Sequence, residues 1–315
     1  MNALTRSILF LSLLIFPFAI ACPQKPGSET YAEILLKKKL DGIRQSTDDV
    51  ERLDLSTQFV DFFGSILKKQ SSFSYPFDSL KGITSVTASD SRFRLFTWTV
   101  PLTGGGFRYF GLVQVNGKKN DSLTVIRLVD RTDSIAEPGT FAGAPDEWYG
   151  AVYYEVIPVK VPGQGTVYTL LGWKGISPLV CSRLIEPMIF TTDSSILFGS
   201  NIFNSEKPLP DKRIIFRYSA RASMVLTYEK QAVVTARQWN ASRHQFETKR
   251  IRKFMIVCDR ILPSAAEMEG RYEYYLPSSD VMDGYVFENG CWNLLKEIDA
   301  RNPVQKTRSL PKNPN

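Results

Sequence analysis

The chain has 315 residues, of which 43% are hydrophobic and 23% are charged, with 39 lysines and arginines against 32 aspartates and glutamates. This composition is typical of a globular protein and excludes a disordered, collagen-like, disulfide-knotted or multi-span membrane chain. The residues do not specify a molecular activity. They indicate instead the compartment, the architecture and the chemistries that are disfavoured.

The first 21 residues have the pattern of a secretory signal peptide. Arg6 precedes the apolar run Ile8–Phe16, and Ala19 and Ala21 form a small-residue cleavage site. Nine apolar residues are too few to span a bilayer, so we expect export of a mature chain to the periplasm, the outer envelope or the medium, without a transmembrane span. Cleavage before Cys22 is also how bacterial lipoproteins begin, which leaves soluble and lipid-anchored forms both open.

Residues 22–75 are predicted to form a helical segment. Thr30 and Glu33 have the spacing of a capping box, and the polar run at 46–49 is a second helix start. After the second start, apolar residues fall on one side of a 3.6-residue period: Val50, Leu53, Phe59, Val60, Phe63, Ile66 and Leu67. Two helices that bury this stripe are expected.

Residues 76–300 are predicted to form one antiparallel β domain, because the apolar residues alternate and the connections are too short for parallel crossovers. Asn289-Gly290 favours a two-residue hairpin turn that pairs Phe287 with Trp292 and Tyr285 with Leu294. A sandwich, a barrel and an irregular propeller all remain possible. Short helices are predicted at Ser177–Pro187 and Ser264–Gly270, and residues 301–315 are predicted to be a disordered basic tail.

The other predicted strands follow from apolar blocks between turn signals. They include Arg92 to Val100, Phe107 to Val115 and Leu123 to Val129 as a meander, and then Trp148 to Val159, Thr166 to Trp173, Ile189 to Phe198, Arg213 to Ser219, Ser223 to Tyr228, Ala232 to Arg237, Ile251 to Cys258 and Arg271 to Leu276.

Basic residues and tryptophans supply the binding candidates. The basic stretch 237–253 contains Arg250, Arg252 and Lys253 and could meet an anionic surface, either lipid headgroups or an acidic polysaccharide. Trp173 and Trp239 are predicted to be exposed, where indole rings can stack on sugars. The expected partner is therefore a polysaccharide or another envelope protein, and nucleic acid is not expected for an exported chain.

The sequence disfavours several kinds of catalytic and cofactor-binding site. His244 is the single histidine, and the chain has no Gly-x-Ser-x-Gly elbow and no phosphate-binding loop, so no metal and no cofactor are predicted. Cys181, Cys258 and Cys291 could form one disulfide or remain free thiols. The catalytic route that remains is a carboxylate-dependent glycan hydrolase, with candidate acids clustered near the last hairpin: Asp280, Asp283 and Glu288.

Four strand and turn signatures carry a family resemblance. They are Ser91 to Thr99 with Thr103-Gly104-Gly105, Leu171-Gly172-Trp173-Lys174-Gly175, Phe216-Arg217-Tyr218-Ser219-Ala220 with Ala222-Ser223-Met224, and Asp283-Gly284 with Asn289-Gly290. Over residues 30 to 295 the chain resembles a family of secreted β-rich proteins from Bacteroidota-type bacteria. The resemblance implies a bacterial, exported, β-rich protein, and it implies neither an activity nor functional residues.

The sequence therefore favours a non-enzymatic binding or structural protein of the bacterial envelope or its surroundings. Two alternatives remain: the carboxylate-dependent hydrolase and a component of an envelope assembly that is lipid-anchored through Cys22.

Overall fold

The computed structural model describes residues 28–117, 123–192, 195–205 and 207–298. The predicted signal peptide, Cys22 and the predicted tail at 301–315 lie outside the described residues. In the described ranges two helices are followed by thirteen strands: β1 (Thr84–Thr87), β2 (Phe93–Pro101), β3 (Phe107–Val115), β4 (Thr124–Val129), β5 (Val152–Val161), β6 (Gly165–Gly175), β7 (Val180–Thr192), β8 (Ser195–Phe198), β9 (Ile214–Ser219), β10 (Leu226–Asn240), β11 (Gln245–Pro263), β12 (Tyr275–Glu288) and β13 (Cys291–Ile298).

The two predicted helices are α1 (Ser28–Gln45) and α2 (Asp49–Leu67). Asp48 caps α2 by accepting a hydrogen bond from the Glu51 amide at 2.8 Å, which confirms the second predicted helix start. The predicted capping box at the start of α1 is wrong. The helix begins at Ser28, and Glu33 accepts hydrogen bonds from elements that follow α2. Within the described part of the chain, neither helix combines the length and apolar character needed to cross a membrane.

The molecule is a stack of four layers. Both helices pack on the first sheet (β1–β4), the first sheet packs on the second (β5–β9), and the second packs on the third (β10–β13). Every pairing between these strands is antiparallel, and no sheet closes into a barrel. The prediction of a mainly β protein with helices packed on antiparallel sheets is therefore confirmed.

The core between each pair of layers uses a different set of side chains. Trp98 lies under the helices, Trp148 lies between the first two sheets, and Trp292 lies between the second and third, each almost fully buried. The second sheet is covered on both faces and its strands bury residues at consecutive positions. A doubly covered strand lacks the polar alternation that marks a half-exposed one.

Three local predictions have clear outcomes. The hairpin at Asn289-Gly290 has the predicted register, with Phe287 opposite Trp292. The helix predicted at Ser177–Pro187 is wrong, because most of that segment belongs to β7. Ser264–Gly270 contains only a 3-10 turn, at Ala266–Met268.

A buried ion pair joins neighbouring strands of the second sheet region. Glu186 and Arg213 are 0% and 1% exposed, and Arg213 Nε donates to Glu186 Oε1 at 2.7 Å. Arg213 Nη1 also donates to the carbonyls of Pro138 and Phe141. Tyr153 donates its hydroxyl to the other oxygen of Glu186, so both carboxylate oxygens have partners. Arg213 Nη2 lies in ion-pair contact with Glu186 but makes no hydrogen bond. These partners offset much of the cost of burying the two charges.

Lys174 provides a second buried charge in the same layer. Its Nζ donates to Thr132 Oγ1 and to the carbonyls of Tyr149 and Gly150, each at 2.7 Å. It also lies 4.2 Å from the centre of the Tyr109 ring. Burial lowers the pKa of Lys174 to about 8, and nearby carboxylates oppose that shift. The ammonium therefore tethers the segment around residue 150 to the second sheet.

The lowered pKa predicts a pH effect on stability. The pKa of a lysine in an unfolded chain is about 10.4. Between about pH 8 and pH 10.4, the unfolded chain therefore binds more protons at Lys174 than the folded chain does. Because of this difference, the contribution of Lys174 to stability rises with pH in that range. We expect the difference in unfolding free energy between the wild type and Lys174→Met to shift by about 1–2 kcal/mol in favour of the wild type between pH 7.5 and 9.5. Urea unfolding of both proteins measures it, and a pH-independent difference would contradict the assignment.

Candidate functional site

The hairpin of β10 and β11 extends well past the third sheet. β11 pairs with β12 only from Ile256 onward, whereas its pairing with β10 continues to the Asn240–Gln245 pair and a four-residue loop. Eleven extended residues beyond Ile256 correspond to roughly 35 Å. We call residues 230–254 the arm. A two-stranded ribbon is marginally stable alone, which is typical of an element that gains order from a partner.

The arm concentrates the positive charge of the chain. It carries seven lysines and arginines against one acid, Glu247, a net charge of +6. Residues 22–300 as a whole carry +2, so the rest of that range carries −4. Between residues 22 and 300 the chain is therefore a mildly acidic body with a strongly basic arm, and residues 301–315 add a net charge of +4 at the C-terminal end. The charge separation within residues 22–300 directs an anionic partner toward the arm.

The described part of the arm carries exposed aromatic side chains as well as cations. Trp239 near the tip is 51% exposed and Phe254 near the base is 55% exposed. The register places Lys230, Arg252 and Phe254 on one face, and Lys230 Nζ lies 5.8 Å from the centre of the Phe254 ring. Lys253 lies on the opposite face, in an ion pair with Glu288. Arg252 and Lys253 were predicted to belong to a single basic patch, but they lie on opposite faces of the arm.

The predicted binding residues divide between two places. Trp239, Arg252 and Lys253 belong to the arm, as does Arg250, whose backbone pairs with Val234. Trp173 lies on β6 in the second sheet, half-buried and away from the arm. Four of the five predicted binding residues thus belong to the arm, and the fifth, Trp173, lines a separate cavity.

The cavity at Trp173 has a volume of about 250 Å³. Trp173, Phe107 and Tyr218 supply aromatic walls, Arg183 supplies a cation, and Ser223 lies on the loop before β10. Trp173 lies directly across from Arg183 in the β6–β7 register, so one strand pair fixes both. The sequence indicated Trp173 alone, because the other lining residues come together only through cross-strand pairing.

Two glycines allow the wall of this cavity to form. A Cβ at position 175 would lie 2.5 Å from the Phe107 ring, and one at position 105 would lie 2.3 Å from Pro178. Gly105 also has a φ of 79°, which L side chains rarely adopt. These close approaches bring the β2–β3 loop against the β6–β7 connection and seat Phe107 beside Trp173, with ring centres 5.9 Å apart.

Two of the three acids proposed for glycan hydrolysis, Asp283 and Glu288, are paired with cations. Asp283 accepts two hydrogen bonds from Arg260, at 2.6 and 3.0 Å, and Glu297 accepts one from the same guanidinium at 3.1 Å. Glu288 pairs with Lys253. Asp280 is exposed, and its amide meets Ser278 Oγ. Glycoside hydrolysis needs two carboxyl groups that converge on the substrate, whereas Asp283 and Glu288 are engaged with Arg260 and Lys253.

The thiols do not form a metal centre or a disulfide among the described residues. Cys181, Cys258 and Cys291 are free thiols, the first two buried and the third half-buried. No group of three histidine, cysteine, aspartate or glutamate side chains converges in the ranges described above. Burial raises the pKa of Cys258 to about 12, so this thiol is protonated at neutral pH.

Comparisons with known proteins add no family. The sequence matches no protein-family model, and comparison with curated proteins and with solved structures found no significant match.

Proposed function

We propose that this chain is an exported, non-enzymatic binding protein whose arm binds an acidic polysaccharide. The observation that carries the proposal is the charge separation: a ribbon with a net charge of +6 extends roughly 35 Å past the last β11–β12 pair, whereas the rest of residues 22–300 carries a net charge of −4. Exposed Trp239 supplies an aromatic face that can stack on a sugar ring. Cations spaced along a strand would meet the repeated carboxylates of a linear polymer.

The form of the arm favours a polymer over a lipid surface. Elements that lie in a membrane interface bury a continuous apolar face among the acyl chains. The tip loop of the arm is exposed and consists of Ala241, Ser242, Arg243 and His244. Among the described side chains of the arm, the exposed large apolar ones are Trp239, Ile251 and Phe254. Ile251 and Phe254 lie on opposite faces of the ribbon, and several residue pairs separate both from Trp239, so they form no continuous apolar face. Neither feature suits insertion into a bilayer.

Export and location belong to the same proposal. The signal-peptide pattern at residues 1–21 and the resemblance to secreted proteins of Bacteroidota-type bacteria support a periplasmic or extracellular site, where acidic polysaccharides occur. A lipid attached to Cys22 would anchor the body and leave the arm available. The non-enzymatic role is supported by the cation-paired carboxylates near the last hairpin.

A binding experiment with matched variants tests the role of the arm. Purified protein with residues 1–21 removed is titrated with polygalacturonate, with neutral dextran and with anionic phospholipid vesicles. We expect binding to polygalacturonate that weakens as salt rises, about tenfold weaker binding for Arg250→Gln/Arg252→Gln, and several-fold weaker binding for Trp239→Ala.

The control replaces two cations outside the arm. Lys37 and Lys38 are exposed on α1, and Lys37→Gln/Lys38→Gln removes the same charge as the arm variant. Its affinity should stay within about twofold of the wild type, since the arm directs binding. Equal losses in both variants would show that only net charge matters. Binding to vesicles but not to polygalacturonate would replace the polysaccharide with a membrane as the partner.

A further inference from the structure

A second binding site is independent of the arm. We infer that the cavity at Trp173 binds a small carboxylate that carries one aromatic ring. The argument rests on the electrostatic position of Arg183, on the aromatic walls around it and on the volume that they enclose.

Arg183 is a half-buried cation that lacks a counter-ion. Within the described ranges no carboxylate lies within ion-pair distance of its guanidinium, and its buried Nε has no hydrogen-bond partner. The buried ion pair of Arg213 in the same sheet shows the usual solution, a carboxylate held at close range. The polar neighbours of this half-buried guanidinium are the phenols of Tyr154 and Tyr218, which carry no charge to balance it. An anion in the cavity would supply the missing counter-charge.

The surroundings of Arg183 are aromatic. Its guanidinium lies 4.9 Å from the centre of the Tyr154 ring, and its strand neighbours in the register are Trp173 and Phe216. Burial raises the pKa of Tyr154 to about 12, and the positive charge of Arg183 partly offsets that rise. Trp173 and Phe107 line the same cavity as Arg183, so a ligand held there by Arg183 would lie against aromatic walls.

The volume limits the ligand to one ring. Ligand pockets for drug-sized molecules span about 300–1,000 Å³, and this cavity holds about 250 Å³. Aromatic rings prefer the edge and offset contacts that such walls provide. A carboxylate forms charge-assisted, bidentate hydrogen bonds with a guanidinium. An aromatic carboxylate of the benzoate class satisfies the volume, the walls and the charge together.

Calorimetric titration with benzoate tests this site. We expect saturable binding, with Arg183→Gln at least tenfold weaker and Trp173→Leu at least threefold weaker. Benzyl alcohol, which keeps the ring but lacks the charge, should bind at least tenfold more weakly than benzoate. The arm variant Trp239→Ala should bind benzoate like the wild type, which separates a failure here from a failure of the arm proposal.

A second readout uses the wild-type protein alone. Cys181 lines the same cavity, so bound benzoate should slow alkylation of the Cys181 peptide, measured by mass spectrometry, and leave Cys291 unchanged. Absence of saturable binding together with unprotected Cys181 would overturn the inference. Inorganic phosphate or D-glucuronate binding as tightly as benzoate would overturn the aromatic part of it.

Discussion

Replacement of Glu186 with glutamine is expected to lower the free energy of unfolding by about 3–5 kcal/mol, the range measured when one partner of a buried ion pair is removed. The substitution keeps the size of the side chain but removes its charge, and Arg213, at 1% exposure, is left without a counter-ion. The Tyr153 hydroxyl also loses a charged acceptor for its hydrogen bond. Urea denaturation followed by circular dichroism measures the loss.

The control for this prediction is an ion pair at the surface. Lys207 and Asp211 lie 2.8 Å apart, and the Lys207 side chain is 66% exposed. Lys207→Gln should change stability by less than about 1 kcal/mol, because exposed ion pairs contribute little. Glu186→Leu/Arg213→Met, which removes both buried charges, should be less destabilised than Glu186→Gln. Equal effects of the buried and exposed substitutions would contradict the buried assignment.

Shortening of the arm is expected to abolish polysaccharide binding and to leave the fold intact. Gln231 and Lys253 face each other in the register, so residues 232–252 can be replaced by Asn-Gly, which favours two-residue hairpin turns. The buried residues of β11 begin at Met255, beyond the deletion. The deletion also removes Val233, which packs half-buried against the cluster of Met255, Val257 and Val286. We therefore expect an unfolding free energy about 1–2 kcal/mol below that of the wild type, and loss of polygalacturonate binding in co-sedimentation.

The shortened protein also separates the two proposed sites. Its cavity at Trp173 is untouched, so its affinity for benzoate should match that of the wild type. If the shortened protein unfolds, the arm is part of the fold and its role in binding needs another test. If it folds and still binds polygalacturonate with unchanged affinity, the arm is not the binding element.

Local signals in the sequence predicted several elements because their physics is local. The Asn289-Gly290 turn sets its own register through positive φ at both residues, and Asp48 caps α2 through a hydrogen bond three residues away. Such features need no information from distant parts of the chain. The alternation after Pro76 likewise indicated antiparallel strands, which the structure confirms.

Features that depend on pairing between distant parts of the chain were not predicted from the sequence. The segment from Ser177 to Pro187 forms most of a strand covered on both faces, and its nearly continuous burial gave no period to detect. The strands predicted at Ser223–Tyr228 and Ala232–Arg237 form one strand, because β11 pairs through the polar residues between them. Glu186 and Arg213 meet across 27 residues, and no local pattern marks them as partners.

The most direct test of the central claim is hydrogen exchange measured by mass spectrometry on the protein with residues 1–21 removed, with and without polygalacturonate. A ribbon without a third strand should exchange rapidly alone, and the polymer should slow exchange in peptides from residues 230–254 while the rest of the chain is unchanged. Protection confined to other strands, or no protection at saturating polymer, would contradict the assignment of the arm as the binding element.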